Sequence, residues 1–113
     1  MIRQGDLYWV DLRMPHGSEP GFRRPVVVVQ GDDFNRSKIA TTVCVAVSSN
    51  LRLAEAPGNV LLGVQVTRLP QNSVANVSQV VTLDKSRLRD RVSRLPPQAI
   101  EEILSGIDAV LGR

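Results

Sequence analysis

Two groups of polar residues border stretches of the sequence that we predict to be buried strands. The first is the arginine pair Arg23-Arg24, which stands directly before a run of valines and follows a loop that contains glycines and Glu19. Loops anchored by a rigid strand commonly hold binding or catalytic groups, and a guanidinium offers a planar fork of donors suited to phosphate. The pattern fits a phosphate-binding loop, but solvated arginines beside a turn would produce it too, since arginine is mostly exposed in proteins.

The second group is Ser48-Ser49-Asn50, at the end of the next predicted strand. Hydroxyl groups in that position either contact a ligand or satisfy free backbone groups where the strand ends. A Ser-His-Asp hydrolase is disfavoured, because His16 is the only histidine, lies in a loop between Pro15 and Gly17, and has no evident third partner.

A third feature is a basic run that interrupts the last part of the chain: Lys85, Arg87, Arg89, Arg91 and Arg94. If the segment were extended, the alternation at 85, 87, 89 and 91 would place four positive charges on one face, which would suit a track for phosphates. Asp84 and Asp90 are interleaved with the run. A solvated edge strand whose charges block pairing with another chain predicts the same sequence.

The composition of the chain limits the classes of protein to which it can belong. With 113 residues, 42% hydrophobic and 22% charged, the chain is predicted to form a single domain over residues 1–113. The net charge of +3 permits binding to a polyanion without requiring it. One cysteine, Cys44, and one histidine exclude a disulfide framework and zinc sites built from several thiolates or histidines, and no motif supports carboxylate-bound magnesium. We therefore expect no metal and no cofactor. Lacking a secretory signal or a run of about 18 apolar residues, the chain is expected to be cytoplasmic.

The hydrophobic pattern predicts a mainly β fold of five to seven short strands, arranged as a small curled barrel or half-barrel. The valines at 26–29 do not alternate with polar residues, so a strand over 25–30, with Pro25 at its entry, is predicted to be central and covered on both faces. The other predicted strands are 7–12, 41–47, 60–67 (broken by Gly63), 73–77 and 79–83, with turns or single helical turns at 31–36 and 84–88.

The chain is predicted to end in an amphipathic helix. Apolar residues recur at helical spacing, with acidic residues on the other face; they are Ile100, Ile103, Leu104, Ile107, Val110 and Leu111. Pro97 suits the first helical position and Gly112 suits the end.

Four segments together carry a resemblance to a known family: RQGDLYWVDL (3–12), GSEPGFRRPVVV (17–28), VAVSS (45–49) and SQVVTLDKSRL (78–88). They resemble the MazF (PemK-like) toxins of bacterial toxin–antitoxin modules nearly from end to end. The opening Arg-Gly-Asp/Glu-type motif combined with Gly-Ser-Glu…Arg-Pro is fairly specific, whereas each half alone is weak.

The resemblance implies an SH3-like barrel of the CcdB/PemK type that forms a homodimer and cleaves single-stranded RNA as an mRNA interferase, causing growth arrest. It also implies a cognate MazE-like antitoxin and a reaction that needs no metal, leaving 2′,3′-cyclic phosphate and 5′-hydroxyl ends. The family's catalytic arginine falls on Arg24 and its assisting hydroxyl on Ser48, with Glu19 in support. The expected RNA-binding residues are Gly17, Ser18, Arg23, Ser49 and Gln79.

The sequence departs from the family pattern in two places. Ser78-Gln79-Val80-Val81 replaces a common Glu-Gln-Ile-Arg, so only Gln79 is retained, and Pro20 replaces a glutamine. If positions 78–81 contact RNA, the first change predicts altered RNA affinity and sequence preference. Pro20 stiffens the loop and removes a hydrogen-bond donor. Two other readings stay open: a non-enzymatic gyrase poison of the CcdB type acting through residues 107–113, and a barrel that binds RNA without cleaving it.

Overall fold

The computed structural model describes residues 1–12, 17 and 22–113. Six strands form its framework: β1 (Asp6–Leu12), β2 (Phe22–Val28), β3 (Thr41–Ser48), β4 (Val60–Leu62), β5 (Ser73–Asp84) and β6 (Asp90–Arg94). The helices are α1 (Asp32–Arg36), α2 (Val64–Thr67) and α3 (Pro97–Val110), with 3₁₀ turns at Leu51–Glu55 and Lys85–Arg87. The longest described helix has 14 residues, and no helix in the described ranges is long and apolar enough to cross a membrane.

All six strands belong to one antiparallel sheet in the order β4-β5-β3-β2-β1-β6, which curls into a half-barrel. Strand β2 lies inside this order, and its valines are buried on both faces. Val27 belongs to the core beneath α3, whereas Val26 and Val28 belong to a second core that contains Tyr8 and Cys44. The prediction of a central strand from the unbroken valine run is confirmed, and so is the mainly β class with a helix at the end.

Pro25 is not at the entry of its strand, as predicted, but is the fourth residue of β2, opposite Trp9 of β1. Strand β2 pairs with β3 only between Val26 and Val28. Pro25 therefore lies outside the β2–β3 ladder, where a residue without an N–H group is tolerated.

Two of the predicted strand ranges are wrong. The range 60–67 is strand only to Leu62, and α2 follows, because Gly63 begins a helical turn whose last residue, Thr67, is buried. The ranges 73–77 and 79–83 form one strand, β5, with an irregular register between the pairs Val45–Val80 and Ala46–Asn76. The sequence pattern predicted two strands over 73–83 because the bulge interrupts the alternation of side chains.

The basic run is also divided rather than continuous. Lys85 and Arg87 lie in a 3₁₀ turn, and only the last two members of the run, Arg91 and Arg94, belong to the edge strand β6 (Asp90–Arg94). The four charges at 85, 87, 89 and 91 therefore do not share one extended face. Strand β6 was missed in the sequence because its residues are mostly charged, as is common at a sheet edge.

A buried carboxylate fastens β6 to β1. The side chain of Asp6 is 0% exposed, and its Oδ1 lies 2.9 Å from Nε of Arg94 and 3.4 Å from Nε of Arg91. Its Oδ2 accepts a hydrogen bond from the backbone N–H of Arg3 at 3.0 Å. Gly5, with φ of +94°, supplies the left-handed turn that brings Arg3 back to Asp6. The Gly5-Asp6 pair thus has a structural role.

Helix α3 packs on the sheet through Ile100 and Ile103, and it approaches the loop before β4 closely at one point. A Cβ atom added to Gly106 would lie 2.1 Å from the carbonyl oxygen of Gly58. This distance is much shorter than a van der Waals contact. Both the added Cβ atom and the Gly58 oxygen are attached directly to the backbone, so neither can rotate away as a flexible side chain would. A glycine is therefore required at 106 although it lies within a helix.

We expect Gly106→Ala to lower the free energy of unfolding by about 1–3 kcal/mol, because backbone must shift to admit the methyl group. Helix propensity alone predicts the opposite sign, a gain of about 1 kcal/mol. Urea unfolding measures the difference, and Ser105→Ala, at an exposed neighbouring helix position, is the control. An unchanged or higher stability of Gly106→Ala would contradict the close approach.

Cys44 lies in the second core with 0% exposure. Burial raises the pKa of its thiol from 9.0 to about 12, because the thiolate is poorly solvated there. A raised folded-state pKa means that the stabilisation is complete below pH 9 and is lost as the pH rises toward 12. We expect the free energy of unfolding to fall by ~1 kcal/mol between pH 9 and pH 10. Urea unfolding across this range, with Cys44→Val as the control that lacks this component, checks the prediction.

Candidate active site

Arg24 and Ser48 stand on the neighbouring central strands β2 and β3. The antiparallel register pairs Val26 with Ala46, Val27 with Val45 and Val28 with Cys44. The β2–β3 ladder ends at the Val26–Ala46 pair, and Arg24 and Ser48 each lie two residues beyond it. Since side chains alternate along a strand, both residues belong to the sheet face of Val26 and Ala46.

The hydroxyl of Ser48 also has a local structural role. Its Oγ accepts a hydrogen bond from the backbone N–H of Asn50 at 3.1 Å, and the side chain of Asn50 in turn accepts from the N–H of Arg52 at 3.2 Å. A serine hydroxyl has one donor proton besides its lone pairs. The contact with Asn50 uses a lone pair, so it orients Ser48 while its proton remains able to point toward a phosphate oxygen.

A cavity of about 420 Å³ opens beside the arginine pair. Its wall is formed by the ends of the central strands on one side and by the segment after α2 on the other. The lining residues are Trp9, Phe22, Arg23, Arg24, Pro25, Val47, Ser49, Leu69, Pro70, Gln71 and Ser73. Among the predicted site residues the cavity brings together Arg23, Arg24 and Ser49, whereas Ser48 does not line it.

Arg23 is held by carboxylates. It forms an ion pair with Asp90 of β6, lies 3.7 Å from Asp11 of β1, and is stacked 5.6 Å from the centre of the Trp9 ring. These contacts join β1, β2 and β6 at the mouth of the cavity. Because two acidic groups neutralise it, Arg23 contributes more to fixing the backbone of its neighbour Arg24 than to the positive potential there.

Phe22 is a candidate that sequence analysis did not select. It is 56% exposed, lines the cavity and adopts a φ of +59°, in the left-handed region. Such conformations are costly for bulky residues and cluster at functional sites. An exposed aromatic face beside an arginine suits stacking against a nucleobase. The signal in the sequence was the position of Phe22 directly before the arginine pair.

The other predicted site residues are not gathered at the cavity. Gln79 is half-buried in the irregular part of β5 and does not line it. Gly17 is exposed in a turn with φ of +61°, which glycine adopts readily. Ser18 and Glu19, together with His16, lie outside the described residues.

Two carboxyl groups with altered titration lie away from the cavity and have structural roles. The backbone N–H of Gln4, at 2.7 Å, lowers the pKa of Asp32. The hydroxyl and backbone N–H of Ser86 lower the pKa of Asp84. Asp84 thus caps a local turn, whereas Asp32 joins α1 to the N-terminal segment. Within the described part of the chain, histidine, cysteine and acidic side chains form no group of three that could hold a metal ion.

Comparison with known proteins gives consistent matches. A family model described as PemK-like, MazF-like toxin of type II toxin-antitoxin system matches residues 3–111. Endoribonuclease MazF6 of Mycobacterium tuberculosis H37Rv is 45% identical over 111 residues, which are 98% of this chain and 97% of that protein. Endoribonuclease MazF of Staphylococcus epidermidis is 35% identical over 112 residues, covering 99% of this chain and 92% of its own length.

Solved structures show the same fold. A mycobacterial endoribonuclease in complex with its cognate antitoxin has a TM-score of 0.81 at 23% identity, covering 99% of this chain and 96% of its own. MazF of Deinococcus radiodurans has a TM-score of 0.79 at 23% identity, with coverages of 99% and 97%. These likenesses confirm the barrel type, and the curated relatives confirm the class of activity, a toxin endoribonuclease, that the resemblance implied. The chain belongs to the PemK-like, MazF-like toxins of type II toxin–antitoxin systems.

Proposed function

We propose that this toxin endoribonuclease cleaves single-stranded RNA by using the RNA's own 2′-hydroxyl as nucleophile, with Arg24 and Ser48 as its catalytic residues. Family membership and relatives named as MazF endoribonucleases support the class of activity. One observation supports the choice of residues: Arg24 and Ser48 lie two residues beyond the Val26–Ala46 pair on adjacent central strands, where alternation assigns them to one sheet face, and Arg24 lines an open cavity.

The chemistry requires alignment and charge stabilisation more than a protein nucleophile. The 2′-oxygen attacks the adjacent phosphorus, the bond from phosphorus to the 5′-oxygen breaks, and the 2′-proton passes to a base while the leaving 5′-oxygen gains a proton. The guanidinium of Arg24 donates to the non-bridging oxygens, whose charge grows in the transition state. The hydroxyl of Ser48 donates to the same phosphate and fixes its orientation. The products are a 2′,3′-cyclic phosphate and a 5′-hydroxyl.

Arginine stays protonated across the physiological pH range. In this proposal Arg24 therefore acts through its charge and its donors, and Glu19, the carboxylate of the preceding loop, supports proton transfer. Gly17 and Ser18 of that loop, Arg23 and Ser49 at the cavity, and Gln79 on β5 bind the RNA on either side of the cleaved bond. The exposed ring of Phe22 offers a stacking surface for a base. No metal or cofactor takes part in this scheme.

The proposed partners follow from the family. Solved relatives include MazE–MazF complexes of Deinococcus radiodurans, and we propose that a cognate MazE-like antitoxin neutralises this chain. A partly disordered acidic segment would be attracted by its net charge of +3. A homodimer would enlarge the small core of a 113-residue domain. Since its substrate is mRNA, the toxin is expected to act in the cytoplasm and arrest growth.

Arg24→Ala is expected to lower the rate of RNA cleavage by about 10²–10³-fold or more, because one preorganised donor set for the transition state is removed. The assay uses a long RNA in EDTA, with the chemistry of the new ends mapped. Arg36→Ala, an exposed arginine of α1, is the matched control, and the melting temperatures of both variants report folding. Wild-type cleavage by a folded Arg24→Ala would refute the assignment.

The same assay separates the alternative readings. Intact RNA with stalled gyrase would favour the CcdB-type alternative, and RNA binding without turnover would favour an inactive barrel.

The two adjacent serines can be told apart by substitution. Ser48→Ala is expected to reduce kcat about 10²-fold, while Ser48→Thr retains the hydroxyl and most of the activity. Ser49→Ala, at the cavity wall, is expected to change KM more than kcat, because its contact is with bound RNA in both ground and transition states. Steady-state kinetics on one RNA substrate measures all three variants. A larger loss of kcat in Ser49→Ala than in Ser48→Ala would move the catalytic role to Ser49.

A further inference from the structure

We propose that Arg68, Arg91 and Arg94 form a second phosphate-binding site, which holds the substrate RNA at a position away from the cleaved bond. This inference rests on the proposed function, since it concerns the same substrate. The three arginines line a second cavity of about 510 Å³, between α2 and the edge strand β6. The described residues that line it include no carboxylate, so they present positive charge to solvent.

Two of these arginines are held by a carboxylate from the protein interior. Asp6 is fully buried and contacts Arg91 and Arg94 through their Nε atoms, at 3.4 and 2.9 Å. The two side chains are 46% and 42% exposed, so a large part of each guanidinium faces water. The single negative charge of the buried Asp6 fixes the guanidinium groups of Arg91 and Arg94 in position. Because it balances only one of the two positive charges, a net positive charge remains between them. Such a fixed pair is prepared to receive an anion from solvent.

The side chain of Arg68 has no structural partner in the described part of the chain. Its side chain is exposed, and within the described residues it forms no hydrogen bond or ion pair. Its backbone adopts a left-handed conformation with φ of +66° at the end of α2. Glycine or asparagine would satisfy that position at lower free energy. The fold therefore gives no reason for an arginine here, whereas an anionic ligand does.

The second cavity adjoins the first along one short segment. Arg68 lines the second cavity, while the three residues that follow it line the first: Leu69, Pro70 and Gln71. The hydroxyl of Ser93 donates to the carbonyl oxygen of Thr67 at 2.7 Å and ties this segment to β6. A strand of RNA leaving the Arg24 cavity across the segment reaches the three arginines directly.

This continuity favours a phosphodiester chain as the ligand. Arginine forks match the paired oxygens of phosphate groups, and phosphates repeat along an RNA strand so that two sites can be occupied at once. An acidic peptide segment of an antitoxin could also approach arginines, but nothing requires such a segment to continue into the Arg24 cavity. The test below separates the two.

The test compares wild type with Arg68→Gly and with Lys38→Gln, which removes one positive charge from the exposed segment after α1. After the cleavage site has been mapped, binding is measured by fluorescence anisotropy with an RNA of about 16 nucleotides carrying a single 2′-deoxy sugar at that site. Arg68→Gly is expected to weaken binding three- to tenfold and raise KM by the same factor. The slope of log K against log salt should fall by about 0.7, the value for one phosphate contact on a single strand. Its melting temperature should be equal or higher, because the left-handed strain is relieved.

A shorter RNA, trimmed to the nucleotides around the cleaved bond, should show no difference between Arg68→Gly and wild type, because it does not extend to the second site. Equal affinities for the long RNA, or an equal loss in Lys38→Gln, would overturn the second site. An effect limited to inhibition by an antitoxin would overturn it too and assign the surface to the protein partner. Failure of wild type to cleave any RNA would instead refute the proposed function, and the anisotropy measurement keeps the two failures apart.

Discussion

The pairing of β2 with β3 is the constraint on which the candidate site depends. Valines of β2 are buried on both faces, so the strand has no freedom to shift its register: a slip of one residue would exchange the two cores and turn every side chain to the opposite face. The same register decides that Arg24, and not Arg23, lies on the face of Ser48. Because side chains alternate along the strand, the adjacent residues Arg23 and Arg24 face opposite sides of the sheet and have different roles.

The β6 edge of the sheet is secured mainly by charge, whereas Val60 and Leu62 hold the β4 edge in the apolar core. The buried Asp6 holds Arg91 and Arg94 of β6, and Arg23 of β2 reaches Asp90 of the same strand. Breaking a buried ion pair leaves the charge of Asp6 uncompensated in the protein interior, where it is poorly solvated. The ion pairs therefore fix β6, although few of its residues are apolar. That fixed edge in turn forms one wall of the cavity that Arg68, Arg91 and Arg94 line.

The central elements could be predicted from the sequence because their signals are local and strong. The valine run indicated a strand covered on both sides, and the helical spacing from Ile100 onward indicated α3. The signal failed where tertiary contacts decide the structure: the bulge of β5, the turn of α2 after Gly63, and β6, whose charges are explained only by Asp6 across the sheet. At the site, Arg24 and Ser48 could be selected by resemblance. Phe22 and Arg68 could not, since a positive φ in a residue other than glycine leaves little trace in sequence.

The distribution of carboxylates, more than the number of arginines, determines where this molecule presents positive charge. Twelve arginines occur in the chain, yet Arg23 is neutralised by Asp11 and Asp90, and Arg36 by Asp33. Asp6 reaches two arginines but is buried beneath them, and Arg68 has no acidic neighbour within the described residues. Among the described residues, an excess of positive charge therefore lies beside the segment that separates the two cavities. An RNA strand attracted by that excess would be drawn across the segment and toward Arg24, so the positions of a few acidic side chains direct the substrate to the proposed catalytic residues.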